Sequence, residues 1–187
     1  MNVEGIILAA GLSNRAGAFK MEWLLAGRPL IHHTIDSMAD FCSRIIVVGG
    51  HKIERLMELT RDYANLRVVL NEHYIRGMFG SVKEGIKYLQ GEKFFLIPGD
   101  CPLVTKEVYR KLLHTQGDIV IPTFQGRKGH PVLIKTFLAE EILREADDSN
   151  LGNFIRRKGF ETAAVDDRGI LLDIDTRQDY ERAVKIK

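Results

Sequence analysis

An α/β fold, with a mostly parallel sheet and helices on both faces, is predicted by three observations. Short apolar runs of strand length recur at Val3–Leu8, Arg44–Val48, Leu66–Leu70 and Phe94–Ile97. Between them stand stretches whose apolar residues fall at helical spacing. Most of the runs also stop on turn-forming residues, such as Gly49-Gly50 and Pro98-Gly99. Strands that alternate with helices in this way build a parallel sheet covered on both sides.

The elements follow in order. Val3–Leu8 is a buried strand, and the small-residue stretch Ala9 to Lys20 comes directly after it. A helix starts near Leu30, after Gly27-Arg28-Pro29, and runs to about Asp40 with Ile31, Ile35 and Met38 on one face. Arg44–Val48 is the second strand, and Ile53, Leu56, Met57 and Tyr63 suit a second helix. Leu66–Leu70 precedes a helix over Phe79–Leu89, carried by Val82, Ile86 and Leu89. Phe94–Ile97 precedes a helix that Thr105 is expected to cap, with Val108, Leu112 and Leu113 inward.

The rhythm changes at Asp118. Ile119–Pro122 and Pro131–Ile134 read as strands around the polar loop 125–129, and a helix is expected over Phe137–Ala146. A short amphipathic piece through Phe154-Ile155 follows, then Thr162–Val165 and Ile170–Leu172 as a pair of strands. Asp175-Thr176 is expected to cap a last helix to about Val184. Without a linker or repeat to divide the 187 residues, 118–187 reads as a wall built against 1–117 within one domain.

Composition excludes several classes. A net charge of +2 gives no strong electrostatic case for nucleic acid or an acidic membrane surface. No apolar run reaches the length of a membrane span, and Glu4 interrupts the N-terminus early. Two cysteines, Cys42 and Cys101, are too few for a disulfide framework and lack metal-site spacing. A reduced, cytoplasmic setting is the expectation.

Chemistry concentrates on Leu8 to Lys20, LAAGLSNRAGAFK. Its small residues, among them Ala9, Ala10, Gly11, Ser13 and Gly17, leave amides open and let a ligand approach the main chain. Arg15 adds a fork for phosphate oxygens and Lys20 a compact charge. The spacing is neither that of a P-loop nor G-x-G-x-x-G. A nucleoside triphosphate held by its phosphates is one reading, and an ordinary strand-to-helix turn is the other.

Four further constellations lie downstream. Asp100, in Pro98-Gly99-Asp100-Cys101-Pro102, stands at the same sheet edge and is either a Mg²⁺ ligand or a turn aspartate. Asp173 and Asp175 alternate, which on a strand turns both to one side; Asp175 is alternatively a helix cap. Gly77, Gly80 and Ser81 give either room for a base or a helix-entry turn. Gly129-His130-Pro131 opens a strand, and His130 either meets an acceptor or satisfies a carbonyl. Cys101 reads as a small buried residue, and the neighbours His32 and His33 diverge on their helix.

In order, these stretches resemble the MobA-like nucleotidyltransferases, above all their molybdenum cofactor cytidylyltransferase branch. That family opens with L-A-A-G-x-S-x-R-M-G-x-x-K, which stands here from Leu8 to Lys20 with Ala16 for the usual Met. Gly77-Met78-Phe79-Gly80-Ser81 is similar to its second motif. Pro98 to Leu103 is similar to its metal motif, with Cys101 for the commoner Gln or Met. Gly129-His130-Pro131-Val132 and Asp173-Ile174-Asp175-Thr176 complete the set.

The resemblance implies a Rossmann-like sheet of the nucleotide-diphospho-sugar transferase type, with a nucleotide-binding half (1–117) and an acceptor-binding wall. It implies transfer of a nucleoside monophosphate from an NTP to a phosphorylated small molecule, with Lys20, Arg15 and Asp100 catalytic. Ala9, Ala10, Gly11, Ser13, Gly17, Gly77, Gly80 and Ser81 would bind the nucleotide, and Gly129 and His130 the acceptor. Mg²⁺ is the implied cofactor, on Asp100 with Asp175. Ala10 in the Ala-Ala-Gly start resembles the cytidylyl branch and narrows the space beside the base, which favours CTP. The implied acceptor is molybdopterin, with a molybdoenzyme or its chaperone as a partner. A transferase acting on a sugar phosphate or phospho-alcohol, and a catalytically silent nucleotide-binding regulator, are the alternatives.

Overall fold

The computed structural model describes residues 2–11 and 19–186. Strand β1 (Val3–Leu8) is followed by a single 3₁₀ turn (Lys20–Glu22) and a small hairpin, β2 (Leu24–Leu25) and β3 (Arg28–Pro29). Then come α1 (Leu30–Ala39), β4 (Arg44–Gly49), α2 (Ile53–Thr60), β5 (Leu66–Leu70) and, past a 3₁₀ turn at Tyr74–Arg76, α3 (Met78–Ile86). Next are β6 (Lys93–Pro98), α4 (Lys106–His114), β7 (Ile119–Phe124), β8 (Arg127–Lys128) and β9 (Val132–Lys135). The chain closes with α5 (Ala139–Arg144), α6 (Leu151–Lys158), β10 (Glu161–Ala164) and α7 (Arg177–Ile186).

One sheet takes strands from both halves of the sequence, in the order β10-β7-β9-β6-β1-β4-β5, with β8 on β7. β5, β4, β1 and β6 pair in parallel, β9 runs antiparallel between β6 and β7, and β10 is parallel to β7. The α/β, mostly parallel architecture read from the sequence is therefore the one adopted.

Strand alternation splits the core in two. Ile7, Val47, Phe95 and Ile97 face one way, where Leu30, Ile31, Ile35 and Met38 of α1 and Val108, Tyr109 and Leu112 of α4 cover them. Ile6, Ile46, Val48, Phe94 and Leu96 face the other, under Phe79, Val82 and Ile86 of α3, Ile142 of α5 and Phe154 of α6. A side chain at Gly85 of α3 would stand 2.8 Å from Ile6 and 3.0 Å from Val48, so glycine lets this helix sit close on the sheet.

Several local readings need correction. Met57 is 53% exposed, and Tyr63 lies beyond the end of α2, its hydroxyl donating to Asp36 at 2.9 Å. Leu89 falls outside α3. The expected helix from Phe137 begins as a 3₁₀ turn, and Phe137 is exposed. Residues 168–171 are a 3₁₀ turn rather than a strand, because β10 takes β7 as its partner instead. Thr105 occupies the first cap position of α4, yet its hydroxyl donates to Asp167 at 2.7 Å rather than capping.

Glu4, which sits within an apolar run, is 2% exposed on β1. It pairs with Arg44 at 2.7 Å and accepts from the amides of Gln90 and Gly91 at 2.6 and 2.7 Å. Removing a buried partner leaves the others unsatisfied, at a cost of about 3–5 kcal/mol. Glu4→Ala should lose stability of that order in urea unfolding, with turnover unchanged while the protein stays folded. A loss below about 1 kcal/mol, the level of an exposed ion pair, would remove Glu4 from this structural role.

Candidate active site

Two parallel strands deliver the site. Where β1 ends, the amide of Ala9 donates to the carbonyl of Val48 at 2.8 Å, and Ala9 and Ala10 are buried. Where β6 ends, the amide of Gly99 donates to the carbonyl of Leu8 at 2.8 Å. A side chain at Gly99 would meet Met21 at 3.0 Å and Ile31 at 3.1 Å, so glycine lets the end of β6 lie close under the 3₁₀ turn and α1. The buried hydroxyl of Thr34 donates to the Gly99 carbonyl at 3.0 Å and fixes the turn from beneath. This is the carboxyl edge of the parallel strands, where doubly wound sheets gather ligands.

On that edge Lys20, Asp100 and Asp175 meet. The Lys20 ammonium stands 2.5 Å from Asp100 Oδ2 and 3.0 Å from Asp175 Oδ1. The two carboxylates therefore converge on one cationic nitrogen. Lys20 is only 9% exposed. Burial works against its charge, but the Asp100 and Asp175 carboxylates outweigh it and hold its pKa above the usual lysine value. Asp175 is brought in by its neighbour: the Ile174 amide donates to the Asp100 carbonyl at 2.9 Å.

Asp175 is not the cap of α7. Thr176 is, since its hydroxyl accepts from the Asp179 amide at 3.2 Å while the Asp179 carboxylate accepts from the Thr176 amide at 2.9 Å. Asp173 and Asp175 do not share a side either. Asp175 lines the cavity with Lys20, whereas Asp173 lines another with His130. The segment 172–175 is not in a strand, so the two-residue alternation does not apply to it.

The cavity above the bridge holds about 380 Å³ and is lined by Ala9, Ala10 and Gly11 on one side and Gly77 and Ser81 on another. Gly11 has open space where a side chain would stand, and Gly77 sits at φ +114, a backbone state that glycine adopts freely. Ser81 is buried and accepts from Asn71 Nδ2 at 3.0 Å. Gly80 lies one position before Ser81 on α3 and is not in the lining. Ser13, Arg15 and Gly17 lie outside the described residues.

Sequence reasoning missed Tyr74, Ile75 and Met78, which add apolar surface to the lining. No local sequence signal marks them; at Gly50 a side chain would come within 2.6 Å of Tyr74. That glycine admits Tyr74 as well as ending β4.

A second cavity of about 370 Å³ lies next to Asp100 in sequence, lined by Cys101, Arg127, Lys128, Gly129, His130 and Asp173 among others. His130 Nδ1 is buried with no hydrogen-bond partner among the described residues, so this atom satisfies no carbonyl. Burial pushes the His130 pKa down, against the pull of Asp100 and Asp173. Gly129 serves packing: a side chain there would come within 2.2 Å of the Ile170 carbonyl. Cys101 is 1% exposed, and burial drives its thiol well above the usual range, which leaves it an inert core residue. His32 and His33 diverge onto the carbonyls of Leu59 and Leu25.

Chemically, two carboxylates and an ammonium face an array of small residues at a strand end. Hard oxygen donors that already converge on one cation fit a Mg²⁺-like ion, which completes its shell with water and phosphate oxygens. Among the described residues no third histidine, cysteine or carboxylate joins them to form a complete protein metal cage. No helix among the described residues is long and apolar enough to cross a membrane.

Comparisons with known proteins agree with this architecture. The family model for the MobA-like NTP transferase domain matches residues 5–163. The chain is 30% identical over 179 residues to the molybdenum cofactor cytidylyltransferase of Escherichia coli K12, covering 95% of this chain and 93% of that one. It is 24% identical to a probable molybdenum cofactor guanylyltransferase of Bacillus cereus B4264, over 97% and 95% of the two chains. The crystal structure of Rv0371C from Mycobacterium tuberculosis H37Rv, a complex with manganese, superimposes with a TM-score of 0.80 at 20% identity, covering 99% of both chains.

Proposed function

We propose, from the premise that this chain belongs to the MobA-like NTP transferase family and is a nucleotidyltransferase, that it transfers CMP from CTP to a phosphate of molybdopterin or its molybdenum-bearing form. The observation that carries this reading is the convergence of Lys20, Asp100 and Asp175 above the small-residue turn. An acceptor phosphate oxygen attacks the α-phosphorus in line, the bond to the β-phosphate oxygen breaks, and pyrophosphate leaves. The acceptor is already ionised near neutral pH, so no side chain has to remove a proton. Catalysis is then positioning and charge stabilisation, the usual terms for such transfers.

Each residue has a stated part. Lys20 neutralises charge on the triphosphate, and Arg15 is assigned the same task from the motif alone. Ala9, Ala10 and Gly11 offer their backbone to the nucleotide, and Ser13 and Gly17 are assigned the same part from the motif alone. Gly77 and Ser81 border the base, with Gly80 behind them. Asp100 and Asp175 hold Mg²⁺, which supplies charge neutralisation on the phosphates; the manganese complex of a protein of the same fold supports a divalent ion. His130, neutral and unpartnered at Nδ1, faces the acceptor in the second cavity.

Pyrophosphate release with each NTP, with and without molybdopterin, tests the reading. CTP is expected to exceed GTP by roughly 10- to 200-fold, the discrimination that pocket shape alone supplies. The cytidylyltransferase relative supports that order, and Ala10, the residue expected to narrow the site, lines the cavity. Equal or better turnover with GTP at saturating acceptor would overturn it. Release that depends on a sugar phosphate, and not on the pterin, would replace the acceptor.

A further inference from the structure

We propose that in the nucleotide-free protein the Lys20 ammonium holds the place of the divalent cation between Asp100 and Asp175, so that cation and triphosphate enter the site together. The inference rests on the reading above, in which those two carboxylates are the metal's ligands. Its ground is geometric. Lys20 bonds to one oxygen of each carboxylate, at 2.5 and 3.0 Å, and is nearly buried in doing so. A divalent ion that bridges the same two groups meets an ammonium already neutralising them, and like charges at this range repel.

The lysine is held to this task from both sides. It opens the 3₁₀ turn Lys20–Glu22, closed by the Trp23 amide donating to the Lys20 carbonyl at 3.1 Å. Trp23 packs edge-on against Tyr180 of α7 with ring centres 5.2 Å apart, and the Tyr180 hydroxyl donates to the Leu24 carbonyl at 2.6 Å. The turn that carries Lys20 and the helix that follows Asp175 are thus joined directly. A triphosphate in the adjoining cavity attracts the same ammonium and draws it off the carboxylates. That leaves the pair short of one positive charge, which the incoming ion restores. Metal-free enzyme would therefore never expose two bare carboxylates, and a cation without nucleotide would be poorly retained.

Mn²⁺ alone is the probe, titrated into nucleotide-free protein and followed by the resonance signal of the free ion. Lys20→Met is expected to bind Mn²⁺ roughly 5- to 150-fold more tightly than wild type, the size of a typical coupling between two sites. Lys20→Arg keeps the charge and should stay near wild type. Equal or weaker binding by Lys20→Met overturns the proposal.

Asp100→Asn separates this from the reading beneath it. If that change weakens Mn²⁺ binding while Lys20→Met does not strengthen it, the carboxylates are ligands and only the exchange fails. If Asp100→Asn leaves Mn²⁺ binding untouched in the wild-type and Lys20→Met backgrounds alike, the metal assignment itself fails. Should Lys20→Met fold poorly without metal, its melting temperature decides: Mn²⁺ should raise it by more than in wild type, and equal shifts overturn the proposal.

Discussion

Replacing Lys20 by methionine is expected to lower pyrophosphate release by about 10²- to 10³-fold, the cost of losing one fixed charge or donor aimed at a transfer's developing charge. A loop lysine would ordinarily support little packing. Its 9% exposure and two carboxylate partners change the design of the experiment. Alanine would leave Asp100 and Asp175 facing each other across a void, and two like charges at that range repel. Methionine fills much of the same volume without the charge. Circular dichroism should show an intact fold, and the loss should appear in turnover. Undiminished pyrophosphate release in a folded Lys20→Met protein would remove the residue from the chemistry.

The sheet was legible because β1, β4, β5 and β6 are short apolar runs with turn residues behind most of them, and that pattern leaves little choice of architecture. The site was legible for the same reason. Asp100 and the Ala9–Gly11 turn follow strands of one parallel sheet, so they share an edge wherever the helices go. What stayed hidden was decided by tertiary partners. Residues 168–171 carry Ile170 and Leu171 like a strand, but β10 finds its place beside β7, and the Gly129 backbone needs the space against Ile170. Thr105 has the chemistry of a cap, yet Asp167, 62 residues away, takes its hydroxyl. Asp173 and Asp175 alternate in sequence and line different cavities, since Ile174 is pinned to Asp100 in a segment with no partner strand. Nor does any local pattern announce that Tyr74 needs Gly50.

The second large effect is expected at the carboxylates, and it should be graded. Asp100→Asn is expected to cost about 10²-fold or more in turnover and to raise the Mg²⁺ concentration for half-maximal activity, as loss of a charged ligand does. Asp175→Asn should be the milder change. Its carboxylate is the more exposed of the two, 27% against 15%, and stands 3.0 Å rather than 2.5 Å from Lys20. An amide oxygen can also still ligate. The helix beyond it supplies a control, because Thr176 and Asp179 cap α7 between them. Asp175→Asn should therefore shift the Mg²⁺ requirement with little change in melting temperature. Thr176→Ala should instead lose about 1 kcal/mol of stability with the Mg²⁺ requirement nearly unmoved. If Asp175→Asn behaves like Thr176→Ala, destabilising the protein and leaving the Mg²⁺ dependence alone, then Asp175 serves the fold and Asp100 holds the ion without it.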